Sequence, residues 1–245
     1  MNTPFVISCS DRYLWSLLPF SYLFLKYCGN DVKMDIAGYT LPHFSLPKGF
    51  NYYSIETPQY PKERWVDGFL KFLYQYKEPY FVLLLEDYWL CRNVDKVGID
   101  LLTDFMRLRE DIVRIDITGD RLYAGNMRDI GYWDRFDIVE APQSPYQMSL
   151  QAGIWNRLLL IEILEKLPSG QRSAWDVELE GTSILNAHNM IVYGTRQTPI
   201  RYVNSMNNAK SSDINYIGLT EEDTLTTKAL VEEAKNSQNK SWEVV

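Results

Sequence analysis

Two adjacent carboxylates, Glu86 and Asp87, follow directly after the six apolar or aromatic residues of segment 80–85. A run of that length is too short to span a membrane and suits a buried strand of a parallel sheet. Ligands of open α/β sheets bind at the carboxyl ends of the strands, which is where these acids would lie. Carboxylates there can hold a divalent cation, Mn²⁺ or Mg²⁺, and the cation can hold a diphosphate.

An acidic surface turn is the alternative for Glu86 and Asp87, because acids are common after strands. The residues that follow are the bulky Tyr88 and Trp89 instead of turn formers, which favours a site. Adjacent strand residues point to opposite sides. We therefore expect one of the two acids to touch the metal directly and the other to act through water or a sugar hydroxyl.

A second pair of acids, Asp176 and Glu178, lies near the start of a predicted helix over 173–189. A carboxylate in such a position could act as the base that takes a proton from an acceptor hydroxyl. Ser173 and Asp176 also match a capping box, in which Asp176 bonds back to the start of the helix. That alternative gives Asp176 a structural role and makes Glu178 the preferred candidate for the base.

Asp11 follows the first predicted strand, 5–8, and could accept a hydrogen bond from a nucleotide base or ribose, or cap the helix that follows. Arg196 and Arg201 follow the last predicted strand, 190–194. They could bind a diphosphate or form a solvated basic edge.

The elements that must position these residues alternate between strand and helix. Strands are predicted over 5–8, 32–38, 52–55, 80–85, 111–117 and 190–194, and helices over 13–27, 61–76, 97–109, 153–166 and 173–189. This alternation predicts an α/β fold with a mostly parallel sheet flanked by helices. A polar linker follows residue 205, and a capping box at 220–223 opens an amphipathic tail helix that packs on the body or on a partner subunit. We expect a domain over 1–205 and a linker with the tail helix over 206–245.

Composition limits the function classes. The chain has 245 residues, 46% of them hydrophobic, and a net charge of −7, which argues against nucleic-acid binding by the whole surface but leaves room for a local basic groove. Three cysteines without metal-type spacing suit a reduced, cytoplasmic setting. The sequence contains no secretory signal, no apolar run of ~18 residues, and no hydrolase, Walker or dinucleotide motif.

The segment Leu-Leu-Leu-Glu-Asp-Tyr-Trp at 83–89 resembles the Asp-x-Asp-type motif of GT-A-fold glycosyltransferases, although it lacks the central spacer. Segment 5–11 looks like the first nucleotide-binding strand and turn of that family, and segments 144–155 and 174–178 look like its acceptor half. The pattern is similar to small uncharacterised glycosyltransferase-like proteins of bacteria and tailed phages. Over residues 5–205 the resemblance implies a GT-A-like, Rossmann-related fold and transfer of a sugar from a nucleoside diphosphate sugar.

The resemblance also implies roles for individual residues. Donor-binding residues would be Ser8, Ser10, Asp11, Arg64, Glu86 and Arg196; the metal ligands would be Asp87 and Glu86 with His188; and the catalytic base would be Glu178 or Asp176. For His188, a helix C-cap is the alternative role. The implied acceptor is a hydroxymethylated pyrimidine of phage DNA or a bacterial surface glycan. A non-catalytic module that binds a nucleotide sugar or a glycan is the alternative function, and a homo-oligomer could form through the tail helix.

Overall fold

The computed structural model describes residues 3–55, 58–206 and 214–240. These residues form a nine-stranded central sheet and a separate two-stranded ribbon. The strands are β1 Phe5–Ser8, β2 Met34–Gly38, β3 Phe50–Ser54, β4 Tyr80–Leu85, β5 Tyr88–Leu90, β6 Ile112–Asp116, β7 Arg128–Trp133, β8 Phe136–Glu140, β9 Gly153–Asn156, β10 Ile191–Thr195 and β11 Tyr202–Asn204. The α-helices are α1 Leu17–Cys28, α2 Trp65–Gln75, α3 Lys96–Arg107, α4 Arg157–Lys166, α5 Ala174–Ala187 and α6 Glu221–Lys240.

The central sheet has the strand order β3-β2-β1-β4-β9-β6-β10-β8-β7. Strands β8 and β9 run antiparallel to their neighbours, and the remaining strands share one direction. Strands β5 and β11 pair antiparallel as the separate ribbon. This mixed, mostly parallel sheet flanked by helices, with a C-terminal helix, confirms the predicted fold class.

Both faces of the sheet are covered because successive strand residues point to opposite sides. In β1, Phe5 and Ile7 pack in the same core cluster as residues of α1, α3 and α6. Val6, between them, packs with α2, α4 and α5 on the other side. The continuous apolar runs of β1 and β4 therefore reflect burial on both faces, as expected for inner parallel strands.

Strand register brings three strand ends to one level. Ser8 at the end of β1 lies opposite Ala37 of β2 and Leu85 of β4. The residues directly after these strands therefore meet at one edge of the sheet. Glu86 and Asp87 follow β4 at this edge and form the turn that leads into β5.

The tail helix α6 packs on α1 of the same chain. The carboxylate of Asp223 accepts hydrogen bonds from Tyr22 over 3.1 Å, from Lys26 over 2.6 Å and from Tyr27. Val231, farther along α6, joins the core beside α1. The face that the amphipathic pattern predicts to be buried is thus covered by the body of the chain. No helix of the described ranges has both the length and the apolar composition needed to cross a bilayer.

The prediction of a helix over 153–166 is wrong at its start, because Gly153–Asn156 forms β9 between β4 and β6. The side chain of Asn156 accepts from the amides of Leu158 and Leu159 and so caps α4. Gly153 is required by close packing, since a Cβ there would lie 2.7 Å from Nε of Arg114.

Candidate active site

A cavity of about 470 Å³ opens at the edge where β1, β2 and β4 end. We call it the acid cavity, because Glu86 and Asp87 are in its wall. It is lined by residues that follow three strands and by the starts of α2 and α5: Ser8, Cys9, Ser10, Tyr13, Tyr39, Gln59, Tyr60, Pro61, Lys62, Glu63, Trp65, Leu85, Glu86, Asp87, Ser173, Ala174, Trp175 and Met206. The predicted residues Ser8, Ser10, Glu86 and Asp87 thus lie together.

Glu86 is held in a fixed position by its neighbours. Its side chain is only 9% exposed, and Oε1 accepts from the amide and the hydroxyl of Ser10 over 3.4 and 3.1 Å. Its carbonyl oxygen accepts from the hydroxyl of Ser16 over 2.7 Å, and that hydroxyl oxygen accepts from the indole of Trp89 over 3.0 Å. Side chain and main chain of Glu86 are therefore both anchored.

Asp87 contributes a carboxylate oxygen that lacks a protein partner. Its Oδ1 atom is buried and has no hydrogen bond to any described residue. Its carbonyl oxygen accepts from the amide of Ser205 over 2.8 Å, so the main chain is fixed. A buried polar atom without a partner is rare and destabilising, so this oxygen is available to accept a contact from a ligand in the cavity.

The electrostatics of the acid pair favour protonation. Burial raises the pKa of Glu86, and the neighbouring charge of Asp87 raises it further, while the bonds from Ser10 oppose the shift. Burial also raises the pKa of Asp87. A cation between the two carboxylates would reverse both effects. Burial raises the pKa of the Cys9 thiol well above its usual range, so this cavity residue is a poor nucleophile.

Aromatic side chains form much of the remaining wall. Trp65 donates from its indole to the hydroxyl of Ser8 over 3.1 Å, which fixes the ring against β1. Trp175 stands at the rim with 72% of its surface exposed, and Tyr39 and Tyr60 also line the cavity. Flat apolar surfaces with a few polar groups are suited to stacking on a base or a sugar ring.

Tyr39 and Tyr60 of this wall escaped prediction. Seventeen tyrosines and seven tryptophans indicate that some serve a ligand, but composition does not say which. Tyr39 and Tyr60 lie in loops, and loop positions carry no period that would place them at a sheet edge.

Two predicted donor-binding residues form structural contacts next to the cavity. Asp11 accepts from the amide and the hydroxyl of Thr40 over 2.8 and 2.9 Å, and it is the first residue of the 3-10 helix Asp11–Ser16, whose N-cap residue is Ser10. Arg64 pairs with Asp67 over 2.6 Å. Neither side chain is among the lining residues, so these two donor-binding roles remain predictions.

The candidate bases lie on α5, whose first turn contributes Ser173 and Trp175 to the cavity wall. Asp176 forms the capping box with Ser173, as the structural alternative predicted. Glu178 is half-buried and accepts from the amide of Leu150 over 2.8 Å. Burial raises the pKa of Glu178. Neither acid lines the acid cavity itself.

The structure does not bring His188 and Arg196 to the acid pair. His188 caps the far end of α5, about 20 Å from its start, and its exposed ring contacts the carbonyl of Ile184 over 2.9 Å. Arg196 pairs with Asp129 through two bonds of 2.7 and 2.8 Å and lines a different cleft.

The acid pair fits a divalent cation shared with a ligand. Within the described part of the chain, no cluster of three or more His, Cys, Asp or Glu side chains could hold a metal by itself. Mg²⁺ is commonly bound through one or two carboxylates together with substrate phosphates. The unpartnered Oδ1 of Asp87 supplies a hard oxygen ligand of the type that Mg²⁺ and Mn²⁺ prefer.

No protein-family model and no curated protein matches this chain. Among solved structures, the UTP-bound UGPase from Acinetobacter baumannii matches over 100% of both chains, with a TM-score of 0.50 and 8% identity. A cytidylyltransferase from Leptospira borgpetersenii covers 98% of this chain and 96% of its own, with a TM-score of 0.47 and 11% identity. At these identities the likeness concerns the fold alone, and the chain has the Rossmann-like α/β fold seen in the UGPase.

Proposed function

We propose that this protein is a cation-assisted glycosyltransferase that moves a sugar from a nucleoside diphosphate sugar to an acceptor hydroxyl. The observation that carries the proposal is the pair Glu86 and Asp87 in an aromatic cavity at the carboxyl ends of the strands. Oδ1 of Asp87 is buried there and has no hydrogen bond to any residue that the structure describes. A structure with the same fold binds UTP, which supports a nucleotide ligand for this fold.

Within this proposal, each wall of the acid cavity has a role. Glu86 and Asp87 would hold Mn²⁺ or Mg²⁺, which when bound neutralises charge on the leaving diphosphate. Ser10 keeps the carboxylate of Glu86 aimed into the cavity. Trp175 would stack on the base or the sugar, because it lines the cavity and is 72% exposed.

The transfer itself requires one bond to form and one to break. The acceptor oxygen attacks the anomeric carbon, the bond from that carbon to the diphosphate oxygen breaks, and the nucleoside diphosphate leaves. The acceptor proton passes to a base, for which we propose Glu178 because Asp176 is engaged as a helix cap. Burial raises the pKa of Glu178, which makes its ionised carboxylate a stronger base. A hydroxymethylated DNA base and a surface glycan both offer the necessary hydroxyl.

Nucleotidyl transfer is the second candidate, because the structure of the same fold named above holds a nucleoside triphosphate. That reaction would bring a triphosphate together with a sugar phosphate, which is more negative charge than one diphosphate sugar. Among the described residues that line the acid cavity, Lys62 is the lone cation, and Glu63, Glu86 and Asp87 are acids. This charge balance favours the ligand with fewer phosphates.

The two candidates release different products. We would incubate the protein with Mn²⁺, a panel of nucleoside diphosphate sugars and hydroxyl acceptors that include hydroxymethylated DNA and glycans, and measure free nucleoside diphosphate. In parallel we would supply nucleoside triphosphates with sugar 1-phosphates and measure pyrophosphate. Glycosyl transfer predicts a signal in the first assay that Asp87→Asn abolishes and the exposed control Asp104→Asn retains. A signal confined to the second assay would establish nucleotidyl transfer, and binding without turnover in both would indicate a non-catalytic module.

A further inference from the structure

A second cleft, of about 920 Å³, lies where β6 and β10 end beside the β5–β11 ribbon. We call it the arginine cleft, after Arg92, Arg196 and Arg201, which line it. Thr118, Asp120 and Tyr123 line it as well. In a chain with a net charge of −7, three arginines around one concave surface form a local basic site.

Two of the three arginines have no carboxylate partner among the described residues. Arg196 is neutralised by Asp129, and the acid within the cleft, Asp120, pairs with Arg121 over 2.9 Å. In the described ranges no carboxylate lies within 4 Å of a guanidinium nitrogen of Arg92 or Arg201. Among the residues that the structure describes, these two guanidinium groups therefore have no carboxylate counter-ion.

The two free arginines are also held near each other. The amide of Cys91 donates to the carbonyl of Arg201 over 3.1 Å, so Arg92 and Arg201 lie close together along the extension of the ribbon. Nη1 of Arg92 donates to the carbonyl of Cys91 over 2.6 Å. Nε of Arg201 donates to the hydroxyl of Thr198 over 3.2 Å. These bonds orient both guanidinium groups and reduce the entropy lost when an anion binds.

The arginine cleft adjoins the acid cavity through two connections. Asn204 lines the cleft and Met206 lines the cavity, while Ser205 between them donates to the carbonyl of Asp87. On the opposite side, Gln151 lines the cleft, and the preceding residue, Leu150, donates to Glu178. Glu178 thus lies between the two concave surfaces.

We infer that the arginine cleft binds an acceptor that carries a phosphomonoester, an assignment that rests on the proposed transfer reaction. Two free guanidinium groups match the charge of one phosphate dianion, and arginine binds phosphate through paired hydrogen bonds. The cleft volume lies within the range of small-molecule sites, about 300–1,000 Å³. Two guanidinium groups are few for a nucleic acid, which is bound through contacts to several successive backbone phosphates.

The test measures binding of glucose 6-phosphate, glucose and a short single-stranded oligonucleotide to the full chain by calorimetry without metal. We expect glucose 6-phosphate to bind and glucose not to bind. In the double variant Arg92→Gln/Arg201→Gln, the affinity for glucose 6-phosphate should fall about 10-fold or more. Arg135→Gln, at an exposed arginine paired with Asp95 outside the cleft, should leave it unchanged. Both single variants accompany the double variant, since each replaces an exposed side chain.

Unchanged binding of glucose 6-phosphate in the double variant would overturn the inference. Tighter binding of the oligonucleotide, lost in the same variant, would overturn the phosphomonoester class in favour of nucleic acid. Binding of UDP with Mn²⁺ is measured separately and should persist in the arginine variants. If UDP does not bind to the unmodified protein while glucose 6-phosphate still binds through the arginines, the proposed donor chemistry is rejected. The anion site is then retained.

Discussion

The amide and the hydroxyl of Ser10 both donate to Oε1 of Glu86, over 3.4 and 3.1 Å. The contact joins the end of β1 to the end of β4 and orients a carboxylate that burial makes easy to protonate. Since the bonds from Ser10 only partly oppose the upward shift of the Glu86 pKa, the charged pair is unfavourable in the folded state. The site therefore holds free energy that a bound cation can release.

The first prediction concerns stability against pH. Because the folded-state pKa values of Glu86 and Asp87 are raised, the native state holds more protons than the unfolded state above the unfolded value of about 4. Stability should therefore fall as pH rises from there through the folded values. We expect Asp87→Asn to raise the free energy of unfolding at pH 8 by roughly 1–3 kcal/mol and to change it little at pH 4.

Urea denaturation at pH 4, 6 and 8 measures this effect. Asp104→Asn, at an exposed carboxylate on α3, is the matched control and should keep the pH profile of the unmodified protein. Parallel profiles for Asp87→Asn and the unmodified protein would contradict the prediction.

The second prediction concerns divalent cations. Mn²⁺ should raise the melting temperature of the protein, because it relieves the repulsion between Glu86 and Asp87. At a concentration 100 times its dissociation constant, a ligand specific for the folded state adds about 2.7 kcal/mol. Differential scanning calorimetry should show the increase, its reversal by chelator and its loss in Asp87→Asn. An equal increase in Asp87→Asn would place the cation elsewhere.

The third prediction concerns the cavity rim. Trp175→Ala should weaken binding of UDP with Mn²⁺ about 2- to 10-fold, because an aromatic contact contributes about 0.5–1.5 kcal/mol. The stability of the variant should stay within about 0.5 kcal/mol, since the side chain is 72% exposed. Tyr132→Ala, at an exposed aromatic residue of β7 outside the cavity, is the control. Fluorescence titration with UDP and Mn²⁺ measures the affinity of each variant. Equal affinities of the Trp175→Ala and Tyr132→Ala variants would show that Trp175 does not contact UDP.

The fourth prediction separates the two acids of α5. Glu178→Gln keeps an acceptor for the amide of Leu150 but removes the base, so turnover should fall about 10²- to 10⁴-fold while UDP affinity is retained. In the unmodified protein, activity should rise with pH through the raised pKa of Glu178, because the base must be ionised. Asp176→Ala should instead lower stability by about 1 kcal/mol and preserve turnover of the folded protein. The reverse pattern would assign the base to Asp176.

The fifth prediction concerns the tail helix. Asp223→Ala removes the carboxylate that accepts from Tyr22, Lys26 and Tyr27, and also from the hydroxyl of Thr220 at the helix start. Thermal denaturation should show a loss of about 2–3 kcal/mol. The neighbouring Glu222→Ala is the control, because Glu222 also contacts Lys26 but is largely exposed. Equal effects of the two substitutions would show that Asp223 does not anchor α6.

Local patterns predicted where Glu86 and Asp87 lie, because a buried strand has a continuous apolar run and the acids come directly after it. Ser8 and Ser10 were implied by the family resemblance, and the register of β1 and β4 places them beside Glu86. Strand β9 was predicted as helix because a short buried strand and a buried helix turn have the same apolar pattern. Asn156 before Arg157 was the overlooked sign of a helix start.

Longer-range placement could not be predicted in the same way. Arg196 follows β10. The strands with which β10 pairs depend on packing between segments that are far apart in the chain. The position of Arg196 beside the arginine cleft, and not beside Glu86, follows from the strand order. The aromatic wall is equally non-local, since Tyr39 and Trp175 reach the cavity from segments far apart in sequence.

Strand β9 determines how far apart the ends of β4 and β6 lie in the sheet. Because it lies between β4 and β6, the ends of those two strands are separated by two strand spacings, about 10 Å. Glu86 follows one of these ends, and the arginine cleft borders the other. The reversed strand thus keeps the two strand ends at a fixed separation. Under the two proposals above, this separation would set the distance between the diphosphate of the donor and the phosphate of the acceptor. A ligand that joins both halves through a linker of matching length would occupy the two sites at once.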